Sequence, residues 1–259
     1  MFRYRNYLFI VGIISLIFFS SCGGEEIKDH DISVSGELIP LDSLIKKDKL
    51  VDSIINIYRI QVEQEMNQVL VHSEHVMERG TPEGLLNNFV ADLVFDIGQE
   101  LYKAEDGKPI DFCLLNYGGL RTSLPEGPVT KSRVFELLPF ENEMIVITLS
   151  GEKTKELFEY LAESKEGMPV SNLKLGISEN KPKEILIDGE QIDTSRNYKV
   201  LTSDYLAYGG DDMTFFLDPL NIELIGKRIR DAIILHMERV NEKGKKISSQ
   251  LDQRIYYMN

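Results

Sequence analysis

Two segments far apart in the chain, Asn116-Tyr117-Gly118-Gly119-Leu120-Arg121 and Asp204-Tyr205-Leu206-Ala207-Tyr208-Gly209-Gly210-Asp211, each set a glycine pair beside an aromatic and a charged side chain. Pro139-Phe140-Glu141-Asn142 lies between them. Paired glycines let the backbone take positive φ and let a ligand come close. Arg121 offers a planar fork of five N–H donors, Asp211 two acceptor oxygens, and Asn116 and Asn142 a donor and an acceptor on one amide. Phe140 and Tyr205 add ring faces, which suit a planar ligand. Together these residues read as two walls of one small-molecule site. Singly, each has a plainer explanation: Gly-Gly is commonly a turn, a lone Phe or Tyr is core packing, and an asparagine beside a turn serves the backbone. A surface Arg or Asp ordinarily makes a local ion pair worth under about 1 kcal/mol. The ordered set of three segments favours the site.

That set resembles the C-terminal, substrate-binding domain of the 5′-nucleotidase / UDP-sugar hydrolase family, in which N-x-G-G-x-R, P-F-x-N and aromatic-L-A-x-G-G-D segments surround the nucleoside. The resemblance runs over residues 41–259 and includes the closing Asp252-Gln253-Arg254-Ile255 segment. It implies that Phe140 and Tyr205 stack on the two faces of the base and that Asp211 accepts the ribose hydroxyls. It further implies that Arg121 reaches ribose or a phosphate oxygen, that Asn116 and Asn142 read the base edge, and that Gly118 and Gly119 belong to the binding loop. Tyr205 stands where the family more often has phenylalanine, so Tyr205→Phe is expected to be nearly neutral. Upstream, Glu83-Gly84-Leu85-Leu86-Asn87-Asn88-Phe89 matches the family's E-S-x-L-G-N-L segment, with Gly84 and Asn87 in place of Ser and Gly. Arg79, one residue off the family's spacing, is the candidate for a second arginine of the site. Asp212 stands where the family often has glycine.

In the resembled family the chemistry belongs to a separate N-terminal metallophosphatase domain, whose two metal ions sit on D-x-H, G-D and G-N-H-[DE] motifs. No such motif precedes residue 41. The implied function is therefore the nucleotide-binding half of a 5′-nucleotidase, with a separate metallophosphatase chain as partner carrying the divalent metals. The alternative is a stand-alone nucleoside-binding lipoprotein with no catalytic partner. No catalytic residue and no metal site is expected on this chain itself. His30, His72, His75 and His236 form no cluster in the sequence, and G-x-S-x-G is absent.

The N-terminus bounds where such a site would work. Arg3 and Arg5, the apolar run Tyr7 to Phe19 and the small residues before Cys22 read as a lipoprotein signal peptide over residues 1–21, with Cys22 lipidated. The run is too short to cross a bilayer as a helix. An uncleaved anchor and ordinary secretion are the other readings. Residues 22–40 are a tether of Gly, Ser and charge with few large apolar side chains. The expected location is the cell envelope, periplasmic or at the outer surface of a Gram-negative bacterium, with membrane contact through the lipid only. With two cysteines in the chain and Cys22 acylated, Cys113 has no disulfide partner. A net charge of −13 argues against nucleic acid, which is bound by concentrated Lys and Arg.

The elements that must position the three segments follow from periodicity. Apolar residues at helical spacing predict an amphipathic helix over about 49–70, and Thr81-Pro82 predicts a cap and first turn for a helix striped by Leu86, Phe89, Val90, Leu93, Val94, Ile97 and Leu101. Ile110–Leu115 reads as a buried strand delivering the first segment, and Tyr198–Thr202 as a strand delivering the last. Thr130 caps a short helix stopped by Pro139, Met144–Leu149 alternates as a strand, and Gly151 opens a helix. Strands follow over Leu173–Ile177 and Glu184–Ile192, the latter folding at Asp188-Gly189, and a closing helix is predicted over Ile225–Val240. Helices and strands without regular βαβ alternation indicate an α+β fold in one domain, 41–259.

Overall fold

The computed structural model describes residues 36–38 and 46–258. The predicted signal peptide, Cys22 and nearly all of the predicted tether lie outside the described residues. Contacts divide the chain into two units, Met1–Lys49 and Leu50–Asn259. The few described residues of the first unit are exposed, and of them only Lys49, which opens a helix, has regular structure.

The second unit is built on a mixed five-stranded sheet. Its strands are β2 (Phe112–Leu114), β4 (Glu143–Leu149), β5 (Val170–Ser171), β9 (Tyr198–Ser203) and β10 (Asn221–Arg228), in the order β10-β4-β9-β2-β5. Only the β9–β2 pair is parallel. Successive residues of a strand face opposite sides, and here both sides are filled. Cys113, Met144, Val146 and Leu201 enter one core with the helices α2 (Leu85–Leu101), α3 (Lys131–Leu137) and α6 (Ile229–Glu242). Phe112, Leu114, Ile145, Ile147 and Val200 enter the other, with α4 (Gly151–Glu163) and a second sheet. That sheet has the order β11-β6-β7-β8, from Ile255–Tyr257, Leu173–Ser178, Lys181–Ile187 and Glu190–Gln191. A two-stranded ribbon pairs β1 (Val69–Ser73) with β3 (Gly127–Thr130). The fold is α+β, as the sequence implies.

Local signals explain most boundaries. Thr130 accepts a hydrogen bond from the Arg133 amide to cap α3, and Ser150 accepts from Lys153 to cap α4. Asp188 and Gly189 take φ of 53° and 77°, the turn between β7 and β8. Three expectations need correction. The second long helix starts at Leu85 with Gly84 as its cap, not at Thr81-Pro82, whose peptide is cis. The Asn87 side chain closes that turn, accepting from the Gly80 amide and donating to the Gly80 and Gly167 carbonyls, while a Cβ on Gly84 would lie 2.1 Å from the Gly80 nitrogen. The closing helix starts at Ile229, because Asn221–Arg228 pairs along β4 and Gly226, at φ 72°, breaks a helical continuation. Finally, the helix predicted over about 49–70, α1 (Lys49–Met66), ends at Met66, because Val69–Ser73 pairs with β3, and it buries none of its residues.

Candidate functional site

Topology brings the three segments together. Because β2 and β9 are parallel neighbours, with Phe112 opposite Val200 and Cys113 opposite Leu201, the loops that follow them leave the same edge of the sheet. Strand β4 runs antiparallel to β9, with Met144 opposite Ser203, so the segment that precedes β4 arrives at that edge too. The first strand hands on to a 3-10 turn, Tyr117–Gly119, and the second to a four-residue helix, α5 (Asp204–Ala207), capped by Ser203. Asn116, Gly118, Arg121, Phe140, Asn142, Tyr205 and Asp211 line one cleft of about 360 Å3 there. That is the low end of small-molecule sites. A concavity of about 490 Å3 elsewhere, lined by Asp92, Asp96, His236 and Arg254, is larger, but its only phenyl ring is Phe89, and its Arg254 is bound to Asp92 and Asp252.

Cross-links fix the three segments to one another. Asp204 Oδ1 accepts from the Glu143 amide at 3.2 Å and from the Tyr205 amide at 2.8 Å, tying the end of the middle segment to the start of the last. The Arg121 amide donates to Leu137 O at 2.8 Å, and the Ile229 amide to Asn142 O at 2.9 Å. Beneath the middle segment lies Arg230, 5% exposed, whose Nη1 donates to the carbonyls of Leu138, Pro139 and Phe140 and whose Nη2 meets Glu141 at 3.1 Å. The guanidinium also lies 4.2 Å from the Phe135 ring centroid. A buried cation held by backbone carbonyls is a fixed post, and the Phe140 backbone stands on it.

The rings and charges of the cleft are placed with definite partners. Phe140 and Tyr205 are 49% and 45% exposed, high for large aromatic side chains. Arg121 Nη1 donates to Gly118 O at 3.3 Å, and its guanidinium carbon lies 6.0 Å from the Phe140 ring centroid. Asp211 sits at φ 52°, a left-handed conformation that aspartate tolerates better than most residues. Its carbonyl accepts from the Tyr160 hydroxyl at 2.8 Å. The Tyr205 hydroxyl donates to Asp211 Oδ1 at 2.7 Å, and this bond raises the phenol above its usual pKa.

Two of the nine residues singled out from sequence lie elsewhere. Gly119 is buried below the loop, where a Cβ would come 2.8 Å from the Asn116 side-chain oxygen; it shapes the turn and holds Asn116. Arg79 stacks on Tyr117, 4.5 Å from its ring centroid, and donates to Tyr117 O at 3.4 Å, which places it behind the first loop and not on the cleft. The upstream motif that suggested it has a structural use. Glu83 accepts from Asn88 and from the amides of Asp252 and Gln253, fastening the C-terminal segment to α2. Tyr160 and Arg230 were not read from the sequence as positioning residues, since one sits in an ordinary helix pattern and the other in the second position of one. Among the described residues no group of three or more His, Cys, Asp or Glu is arranged to hold a metal ion.

Comparison with known proteins follows the same lines. The sequence profile described as 5′-nucleotidase, C-terminal domain, matches residues 63–218, more than half of the chain. The chain belongs to the 5′-nucleotidase C-terminal domain family. Among curated relatives, the trifunctional nucleotide phosphoesterase protein YfkN of Bacillus subtilis is 27% identical over 197 residues, 70% of this chain and 13% of that protein. An apyrase of Tabanus yao is 24% identical over 248 residues, 86% of this chain and 44% of its own length. The chain thus spans less than half the length of either. The solved 5′-nucleotidase precursor of Thermus thermophilus superposes with a TM-score of 0.67 at 21% identity, covering 81% of this chain and 43% of that one. At that identity the likeness concerns the fold.

Proposed function

We propose that this chain is the nucleotide-binding half of a 5′-nucleotidase, with hydrolysis carried by a metallophosphatase on a separate chain and the whole held at the cell envelope through Cys22. The observation that carries the binding role is the pair of half-exposed rings, Phe140 and Tyr205, lining the same cleft as Arg121 and Asp211. Rings left this open gain by stacking on a planar base, at about 1–3 kcal/mol each. A carboxylate beside them accepts two vicinal hydroxyls, as on ribose, and a guanidinium supplies donors to ribose or phosphate. The Asn116 and Asn142 amides supply the mixed donor and acceptor pattern that a base edge requires.

Such a cleft binds and orients. Holding the nucleoside fixes the scissile phosphate relative to the partner's water, which is the entropic part of catalysis. Divalent metals on the partner would supply the activated water. Membership of the nucleotidase domain family supports a nucleotide as ligand, and a span of less than half the length of the curated relatives motivates the partner. Titration calorimetry of the full chain with adenosine and AMP tests the binding role, and phosphate release from AMP, with the chain alone and with a metallophosphatase encoded beside it, tests the division of labour. Binding with release only in the mixture is expected. Metal-dependent release by the highly purified chain alone refutes the division, and binding with no complementing partner favours the stand-alone binder.

A further inference from the structure

We infer that the Tyr205 hydroxyl is a specificity-determining group: it presets the Asp211 carboxylate for a vicinal diol, so that ribose-bearing ligands are preferred over ligands lacking both hydroxyls. This deepens the nucleoside reading above and rests on it. Tyr205 is held from three sides. Its amide donates to Asp204 Oδ1 at 2.8 Å, and its ring lies against Gly210, where an added Cβ would come 2.6 Å from Cε1 and Cζ. Its hydroxyl is used in both directions, accepting from the Asp211 amide at 3.3 Å and donating to Asp211 Oδ1 at 2.7 Å. A phenol has one proton, and the amide N–H bound to its oxygen leaves that proton for the carboxylate.

Asp211 is otherwise fixed only through its backbone, by φ 52° and by the Tyr160 hydroxyl on its carbonyl. The phenol is therefore the group that sets the direction of the carboxylate. An ionised carboxylate has about four lone-pair sites. One goes to Tyr205, and enough remain for two hydroxyls of a diol. Phenylalanine at 205 would keep the ring against Gly210 and release the carboxylate to rotate, so ligand binding would have to order it. Ordering one side chain on binding corresponds to an affinity loss of about 3- to 10-fold. The expectation of a neutral Tyr205→Phe, read from the sequence, is thereby replaced.

The test is calorimetry of the full chain and of Tyr205→Phe with adenosine and with 2′,3′-dideoxyadenosine, each at neutral pH. The unsubstituted chain should prefer adenosine. Tyr205→Phe should lose about 3- to 10-fold on adenosine and less than about 2-fold on the dideoxy analogue, shrinking the preference. Equal losses on both ligands would show that the hydroxyl merely places the ring, and an unchanged or increased preference would show that it does not preset Asp211; either overturns the inference while leaving nucleoside binding intact. Failure of the unsubstituted chain to bind either ligand refutes the nucleoside reading itself, and this inference falls with it. In an Asp211→Asn background, adding Tyr205→Phe should not further reduce the adenosine preference, and a further reduction overturns the coupling between the two side chains.

Discussion

Replacing Arg230 by methionine should cost the fold about 2–4 kcal/mol and misplace Phe140 as it does so. The guanidinium donates to Leu138 O at 3.2 Å and Pro139 O at 3.3 Å, with a longer contact to Phe140 O at 3.5 Å. Hydrogen bonds from a charged donor contribute about 1.5–3 kcal/mol each, and the contact at 3.5 Å adds little. The ion pair with Glu141 is minor, because that carboxylate is 62% exposed and pairs of this kind contribute under about 1 kcal/mol. Methionine restores packing of the stem and removes the burden of a buried charge, which lowers the sum of the two good bonds to about 2–4 kcal/mol. Urea unfolding should show this as a lower midpoint at unchanged slope. Glu141→Gln should lose under about 1 kcal/mol in the same assay. A loss below about 1 kcal/mol for Arg230→Met, or a loss as large for Glu141→Gln, would refute the reasoning that the carbonyl bonds dominate. Adenosine affinity measured on the folded fraction should fall in Arg230→Met, since the segment bearing Phe140 loses its support.

Phe140→Ala should weaken adenosine binding by about 1–3 kcal/mol in calorimetry with the fold intact, and an unchanged affinity would show that the ring is not a stacking wall. Arg121→Met should weaken AMP more than adenosine, with the difference shrinking in added salt, if the exposed guanidinium meets phosphate; equal losses would assign it to ribose or base. Burial holds the His236 imidazole below its ordinary value of 6.5, with Arg239 and Lys243 acting in the same direction and Asp96 against it. The unfolded chain therefore binds more protons just below that value, and stability falls as pH drops through 6.5 toward the folded-state pKa. Thermal melts across that window should flatten in His236→Gln, and an unaltered acid slope would show that another group carries it.

The three segments that meet at the cleft were legible because their residue types are dictated by backbone and side-chain chemistry more than by distant packing. Glycine pairs, a ring, an amide and a charge in fixed order survive as a pattern, and seven of the eight residues they nominated line one cleft. The strands β4 and β9 and the Thr130 cap were legible for the same reason, since short apolar runs and capping are local. The exact start of α2 was not, because the choice between Thr81 and Gly84 depends on Asn87 reaching Gly167, 80 residues on. The place of β10 was hidden by an apolar pattern, Ile222-Glu223-Leu224-Ile225, that serves a strand or a helix until β4 is there to pair with. Arg79 was nominated by the family resemblance despite a spacing one residue off, and the stack on Tyr117 that holds it away from the cleft is a contact across 38 positions. The roles of Arg230, Tyr160 and the Tyr205 hydroxyl were decided by tertiary structure alone. Each works through one hydrogen-bonding direction in three dimensions, and a one-dimensional pattern fixes a residue's type and face but not the atom its polar end will meet.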